Sequence, residues 1–196
     1  MTWTVVVPVK PPALAKSRLR VDGVDRSALA RAIALDTIEA AAAAARVIVV
    51  SADTTLRLAG CELVRETATG GLAAAIELGL AAAPRERRAV LLGDLPGLRP
   101  EDLALALELA GRVRLGAVPD AERLGTTLLT SREGDLPAAF GDGSWRRHLA
   151  AGFTELPLAP DSTLHRDVDL AEHLHAPLGP RTRALLSARS AESGAG

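Results

Sequence analysis

Val90, Leu91 and Leu92 follow one another with no polar residue between them, and this short run narrows the fold more than any other feature. A strand with one wet face alternates apolar and polar residues. An unbroken apolar run suits a strand covered on both faces, as in a parallel sheet. Two similar runs come earlier, Thr2–Val9 (TWTVVVPV) and Arg46–Ser51 (RVIVVS), both rich in β-branched residues. Between them, Arg26–Ala45 repeats apolar residues at helical spacing (Leu29, Ile33, Ile38). Buried strands separated by helices predict an α/β fold.

The remaining elements are read from the same signals. Cys61–Arg65 reads as a third strand, with room for a short helix at Leu56–Ala59 before it. Leu72–Ala83 and Glu101–Ala110 read as helices, Arg112–Val118 and Thr154–Leu158 as strands. Arg85–Arg88 reads as a charged surface turn, and Leu178–Arg189 as a basic helix. No repeat or linker divides the 196 residues. Residues 1–190 are therefore expected to form a single domain, with 191–196 as a disordered tail.

Composition removes several classes of function. Lys+Arg number 23 against 24 Asp+Glu, a net charge of −1, so no global basic field draws the chain to nucleic acid. Cys61 is the single cysteine, which excludes an internal disulfide and any multi-cysteine zinc cluster. It reads as a small core residue. Val5–Val9 is too short for a signal peptide and includes Pro8, with Lys10 directly after it. No apolar run approaches the roughly 20 residues that span a bilayer. The expected place is the cytoplasm, with no nucleic acid and no membrane as partner.

The residues suited to chemistry fall at strand ends. Gly93 and Pro96 force a turn just after the central run, so Asp94 lies past its carboxyl end. Ligands bind at that edge of open α/β sheets, and a carboxylate there can hold a divalent metal over phosphates. Alternatively, Asp94 only caps the helix that begins near Pro100–Leu103. Lys10, Lys16 and Arg18 place three cations directly after the first strand, where doubly wound folds bind phosphate. Neither GxGxxG nor GxxxxGK[ST] is present. Thr67–Gly71 (TATGG) puts Gly70 and Gly71 ahead of a helix, either for close approach of a ligand or for an ordinary turn.

Three later segments complete the inventory. Gly125, Thr126 and Thr127 either offer donors to an anion or simply begin a strand. Ala139–Ala150 (AFGDGSWRRHLA) sets Gly141, Gly143 and Ser144 before a helical stretch carrying Arg146, Arg147 and His148. Backbone N–H groups and arginines there would suit a carboxylate or phosphate. Phe140, Trp145 and Phe153 in this region read as packing. Asp167 and Asp169 precede another helical stretch; if Val168 turns inward both carboxylates face one site, and otherwise Asp169 is only an N-cap. His148 stands alone, and His165, His173 and His175 lack supporting ligands for zinc. No GxSxG elbow supports a Ser/His/Asp hydrolase.

Taken in order, VVPVKPPALAKSRL, GDLP, GTTLL, FGDGS and DVDLAEHL resemble the 2-phospho-L-lactate/phosphoenolpyruvate guanylyltransferases of deazaflavin coenzyme F-420 biosynthesis. These lie within the GT-A-like nucleotidyltransferases. The likeness runs from about Thr2 to His175. It implies a Rossmann-like three-layer αβα sandwich with a mostly parallel sheet, and transfer of GMP from GTP to a small phosphorylated acid. Lys10, Lys16 and Arg18 would hold the triphosphate, with Lys16, Arg18 and Asp94 catalytic and Gly70 and Gly71 beside the nucleotide. Asp94, Asp167 and Asp169 would hold Mg²⁺, and Thr126, Gly141 and Ser144 would take phosphoenolpyruvate or 2-phospho-L-lactate. Relatives usually carry Asn shortly after the glycine at Gly71, where this chain has Leu72, Ala73 and Ala74. Guanine selection is thus the weakest part of the transfer. The competing readings are a nucleotidyltransferase using CTP, 3-phosphoglycerate or a sugar phosphate, and a non-catalytic nucleotide-binding domain.

Overall fold

A computed structural model describes residues 2–9, 19–53, 55, 56, 58–66, 70–175 and 177–193. Seven strands form one sheet: β1 (Thr4–Val9), β2 (Arg46–Ser51), β3 (Glu62–Arg65), β4 (Glu86–Leu91), β5 (Leu115–Pro119), β6 (Thr126–Glu133) and β7 (Thr154–Glu155). Their spatial order is β3-β2-β1-β4-β6-β5-β7. The pairs β2–β3, β1–β2, β1–β4 and β5–β7 are parallel. Only β6 runs against its neighbours β4 and β5. The sheet is mostly parallel, as the apolar runs predict.

Among the described residues five α-helices accompany it: α1 (Arg26–Ala44), α2 (Gly71–Ala82), α3 (Pro100–Ala110), α4 (Ser144–Ala150) and α5 (Pro180–Ser193). Alternate strand residues face opposite layers, as the pleat requires. Val5, Val7, Val47, Val49 and Leu91 pack with Ile38 and Ala41 of α1 and with Leu103 and Leu107 of α3. Val6, Ile48, Val50, Val90 and Leu129 pack with Ile76 of α2 and Trp145 of α4. Helix α5 lies outside α1, where Leu185 and Leu186 meet Leu29 and Ile33. Among the described residues no helix is long and apolar enough to cross a membrane.

Several boundaries differ from the sequence reading. Strand β4 begins at Glu86, so Arg85–Arg88 is not a surface turn. Arg88 is 6 % exposed and donates to the Gly134 carbonyl, so a charged residue sits within the sheet because its guanidinium is hydrogen-bonded. The described residues of 56–59 are not helical. Cys61 is half-buried against the first core layer, and burial pushes its thiol pKa up.

Two buried polar residues of α1 tie the carboxyl edge of the sheet to the end of the chain. Asp36 accepts from the N–H groups of Arg181 (3.0 Å) and Thr182 (2.9 Å), capping α5 from a neighbouring helix. Thr37 accepts from Leu95 N–H (3.0 Å) and donates to Ile33 carbonyl (2.9 Å). Helix α3 makes a third tie. Asp102 accepts from the N–H of Thr163 (2.7 Å) and from its hydroxyl (2.5 Å).

Burial alone would raise the Asp102 pKa, but the Thr163 bonds and Arg99 bring it below its ordinary value. A depressed folded pKa gives stability that is complete above the unfolded value near 4 and is lost as pH falls through the folded one. Wild-type protein should therefore gain more stability between pH 2 and pH 6 than Asp102→Asn. Urea unfolding of both proteins across that range measures it, and parallel curves would exclude the linkage.

A candidate active site at the carboxyl edge of the sheet

Asp94 stands just past β4 and is held there by its neighbours. Leu92 N–H donates to Thr127 carbonyl (3.0 Å), and Leu95 N–H to the Thr37 hydroxyl. The Asp94 carbonyl accepts from Val168 N–H (2.9 Å). The N-cap of α3 is Arg99, so Asp94 does not cap that helix.

That Val168 bond brings in the second acidic segment. Val168 is 2 % exposed, packed with Leu19, Leu29 and Ile33. Its side chain is turned inward, the condition under which the sequence expects Asp167 and Asp169 to face one site. One carboxylate oxygen from each of Asp94, Asp167 and Asp169 lies within 4.8 Å of the other two. Three carboxylate oxygens at this spacing form a hard donor set suited to a divalent cation that prefers oxygen. The segment is held by Thr127, whose hydroxyl donates to Leu164 carbonyl (2.6 Å), and by His165 Nδ1, 2.9 Å from Pro119 carbonyl.

Thr126 and Thr127 therefore divide two tasks between the two faces of β6. Thr127 is spent inside the fold. The Thr126 hydroxyl instead meets α4, 3.4 Å from Ser144 Oγ and 2.9 Å from His148 Nδ1. Two segments distant in sequence thus converge, as the reading of GTT and FGDGS expects. Gly141 lies beside them, exposed, at φ +114, a conformation that glycine takes readily and other residues rarely adopt.

The donors differ from those expected. Ser144 N–H donates to Gly141 carbonyl (2.9 Å) and Trp145 N–H to Leu124 carbonyl (3.2 Å). The first two amides of this seven-residue helix are thus spent, one on a local turn and one on the loop before β6, which leaves the hydroxyls as the groups to consider. Arg147 is also committed locally, donating to the carbonyls of Ala139 (3.1 Å), Phe140 (3.4 Å) and Asp142. It braces the loop carrying Gly141 where the sequence suggests an anion ligand.

Sequence reasoning missed two residues here. Asp120 accepts from the N–H groups of Leu124 (2.9 Å) and Gly125, shaping the loop before Thr126. An aspartate five residues before a glycine between two strands was a turn signal that could have found it. His148 is fully buried, and no local pattern marks its partners.

Gly70 and Gly71 stand at the amino end of α2, which follows β3 and so begins at the same edge. Lys10, Lys16 and Arg18 lie outside the described residues. His148 and His165 are each hydrogen-bonded within the fold.

Comparison with known proteins adds sequence-wide information. Residues 3–155 match the family model described as "Guanylyl transferase CofC like". Phosphoenolpyruvate guanylyltransferase of Thermomonospora curvata is 42 % identical over 94 % of this chain and 89 % of its own. The enzyme of that name from Streptomyces avermitilis is 42 % identical over 94 % of both chains. Among solved structures, Rv0371c from Mycobacterium tuberculosis H37Rv superposes with a TM-score of 0.60 at 21 % identity, covering 95 % of this chain and 98 % of that one. A nucleotidyl transferase from Methanothermobacter gives 0.51 at 19 % identity, covering 95 % and 99 %. These structural matches carry the fold alone.

Proposed function

The chain belongs to the family of CofC-like guanylyl transferases, and from that premise we propose that it transfers GMP from GTP to phosphoenolpyruvate and releases pyrophosphate. The observation that carries this reading is 42 % identity across 94 % of the chain to phosphoenolpyruvate guanylyltransferases. The trio Asp94, Asp167 and Asp169 supports it from the structure.

The chemistry asks little of the protein beyond placement and charge. A phosphate oxygen of the acceptor attacks the α-phosphorus of GTP, and the bond to the β-phosphate oxygen breaks. The electron pair leaves with pyrophosphate. A phosphomonoester, with its second pKa near 6, is already largely ionised at pH 7, so no general base is required. Two polyanions must instead be brought together and the leaving charge stabilised. Lys10, Lys16 and Arg18 would serve the triphosphate, with Lys16 and Arg18 in the catalytic role. Gly70 and Gly71 let the nucleotide approach the backbone, and Thr126, Gly141 and Ser144 receive the acceptor. Asp94, Asp167 and Asp169 would hold Mg²⁺, which when bound supplies positive charge over the phosphates.

The product is a diphosphate-linked guanosine, suited to hand-over to the next enzyme of coenzyme F-420 biosynthesis. Both substrates are cytoplasmic metabolites, which supports a cytoplasmic place for the reaction. One assay tests the assignment: pyrophosphate release with GTP, CTP or ATP, each with phosphoenolpyruvate, 2-phospho-L-lactate, 3-phosphoglycerate or no acceptor. The expected result is release only with GTP, and fastest with phosphoenolpyruvate. Equal rates with CTP would show that Leu72–Ala74 in place of the usual Asn has relaxed base choice. Silence with every pair would return the chain to the non-catalytic class.

A further inference from the structure

His148 carries more hydrogen-bonding information than a packing residue needs. Its ring is fully buried, set edge-on between Phe140 (centroids 5.5 Å apart) and Phe153 (5.3 Å). At one end Nε2 lies 3.1 Å from the backbone N–H of Ala139. An amide N–H can only donate, so Nε2 must present its lone pair. In a neutral imidazole the proton is then on Nδ1. Burial, with a smaller push from the Arg147 guanidinium, lowers the ring's pKa to about 4, so it is neutral at physiological pH.

Nδ1–H points at Thr126 Oγ1, 2.9 Å away. The Thr126 oxygen is therefore an acceptor toward His148, and Ser144 Oγ lies 3.4 Å from it. A hydroxyl has two lone pairs and one proton. Because Nδ1 donates, the Thr126 proton cannot be spent on His148 and stays available to another acceptor. Left to rotate, a threonine hydroxyl could turn either a donor or a lone pair toward a ligand. A phosphate or carboxylate oxygen at pH 7 can only accept.

Building on the acceptor-pocket reading above, we propose that His148 is a positioning residue that locks the Thr126 hydroxyl as a hydrogen-bond donor to the phosphorylated acid. The ring does not touch the substrate. Ala139 N–H sets the tautomer, the tautomer sets the direction of the Thr126 proton, and an anionic acceptor meets an oriented donor. This ordering is complete before the ligand arrives, which is how preorganisation raises affinity.

Substitutions at position 148 separate its two ends. Asparagine places an amide N–H near the site of Nδ1, whereas glutamine reaches the Nε2 end and leaves Thr126 without its donor. His148→Gln is expected to raise the KM for phosphoenolpyruvate about tenfold, and His148→Asn to stay within about threefold of wild type, from the strength of one hydrogen bond to an anion. The KM for GTP should be unchanged in both. Thr126→Val should match His148→Gln, and adding His148→Gln to Thr126→Val should cost less than about twofold more, because the residues act as one unit.

Each outcome decides something. A normal phosphoenolpyruvate KM in Thr126→Val overturns the acceptor pocket and this inference with it. A raised KM there, with a full additional effect of His148→Gln in the double variant, overturns the inference alone. Should the variants fail to fold, ¹⁵N shifts of the wild-type imidazoles still test it. The ring with contacts to Phe140 and Phe153 must be neutral and protonated on Nδ1, and a proton on Nε2 refutes the proposal.

Discussion

Asp94→Asn is expected to fold like the wild type and to lose about a thousandfold in turnover, from the several kcal/mol that one charged metal ligand contributes to stabilising phosphoryl transfer. The structure separates the two roles of this residue. Its backbone carbonyl accepts from Val168 N–H, and that bond survives the change. Its carboxylate is one of three whose oxygens gather within 4.8 Å, and the amide replaces one anionic oxygen with a neutral donor. Asparagine has nearly the same shape, so thermal unfolding should shift by no more than about 3 °C, corresponding to roughly 1 kcal/mol. Pyrophosphate release should fall, and the Mg²⁺ or Mn²⁺ concentration needed for half-maximal rate should rise. A well-folded Asp94→Asn protein with turnover near wild type would remove Asp94 from the metal site.

How much of this was legible in the sequence follows from how local each interaction is. Strands β1 and β2 and helix α1 announce themselves through unbroken apolar runs and helical spacing, because burial on both faces leaves no room for polar alternation. Strand β4 was half visible. Its apolar end was clear, while Glu86, Arg87 and Arg88 hid its beginning, since nothing local shows that Arg88 reaches Gly134 on the far side of a turn. Position alone left Asp94 between a metal ligand and a cap of α3, and that helix is capped by Arg99 instead. The pairing of Asp167 with Asp169 hinged on Val168, which is buried, and one carboxylate oxygen of each lies within 4.8 Å of one from Asp94.

The roles of Thr127 and His148 were not legible. The Thr127–Leu164 bond spans 37 positions and the Thr126–His148 bond 22. A histidine between two phenylalanines gives no sign of which nitrogen carries its proton. Arg147 shows the opposite error. Its place after a Gly/Ser turn suggests an anion, whereas three carbonyls of the loop accept from its two terminal nitrogens. Position suggests which groups are available, and the hydrogen-bond partners decide which remain for a ligand.

Gly97→Ala should be the most damaging single methyl group in this site, although Gly97 carries no chemistry. A Cβ at Gly97 would stand 2.1 Å from the Pro177 carbonyl oxygen, a backbone atom with little freedom to withdraw. That carbonyl belongs to the strap entering α5. Gly179 N–H donates to Pro96 carbonyl (2.6 Å), and Asp36 holds the first amides of α5. The added methyl group must therefore push the strap off the turn or push the turn off the strap. Either movement reaches Leu95, held by Thr37, and then Asp94. Overpacking against backbone costs about 3 kcal/mol, which lowers Tm by roughly 6–12 °C for a domain of this size. The metal requirement for activity should rise as well, because the turn that aims Asp94 is strained from its far end. Thermal unfolding and Mn²⁺ titration of Gly97→Ala measure the two effects separately. A Tm within about 2 °C of wild type would mean that the strap yields at little cost. In that case the contact between the GDLPG turn and the carboxyl-terminal segment does not hold the site in shape.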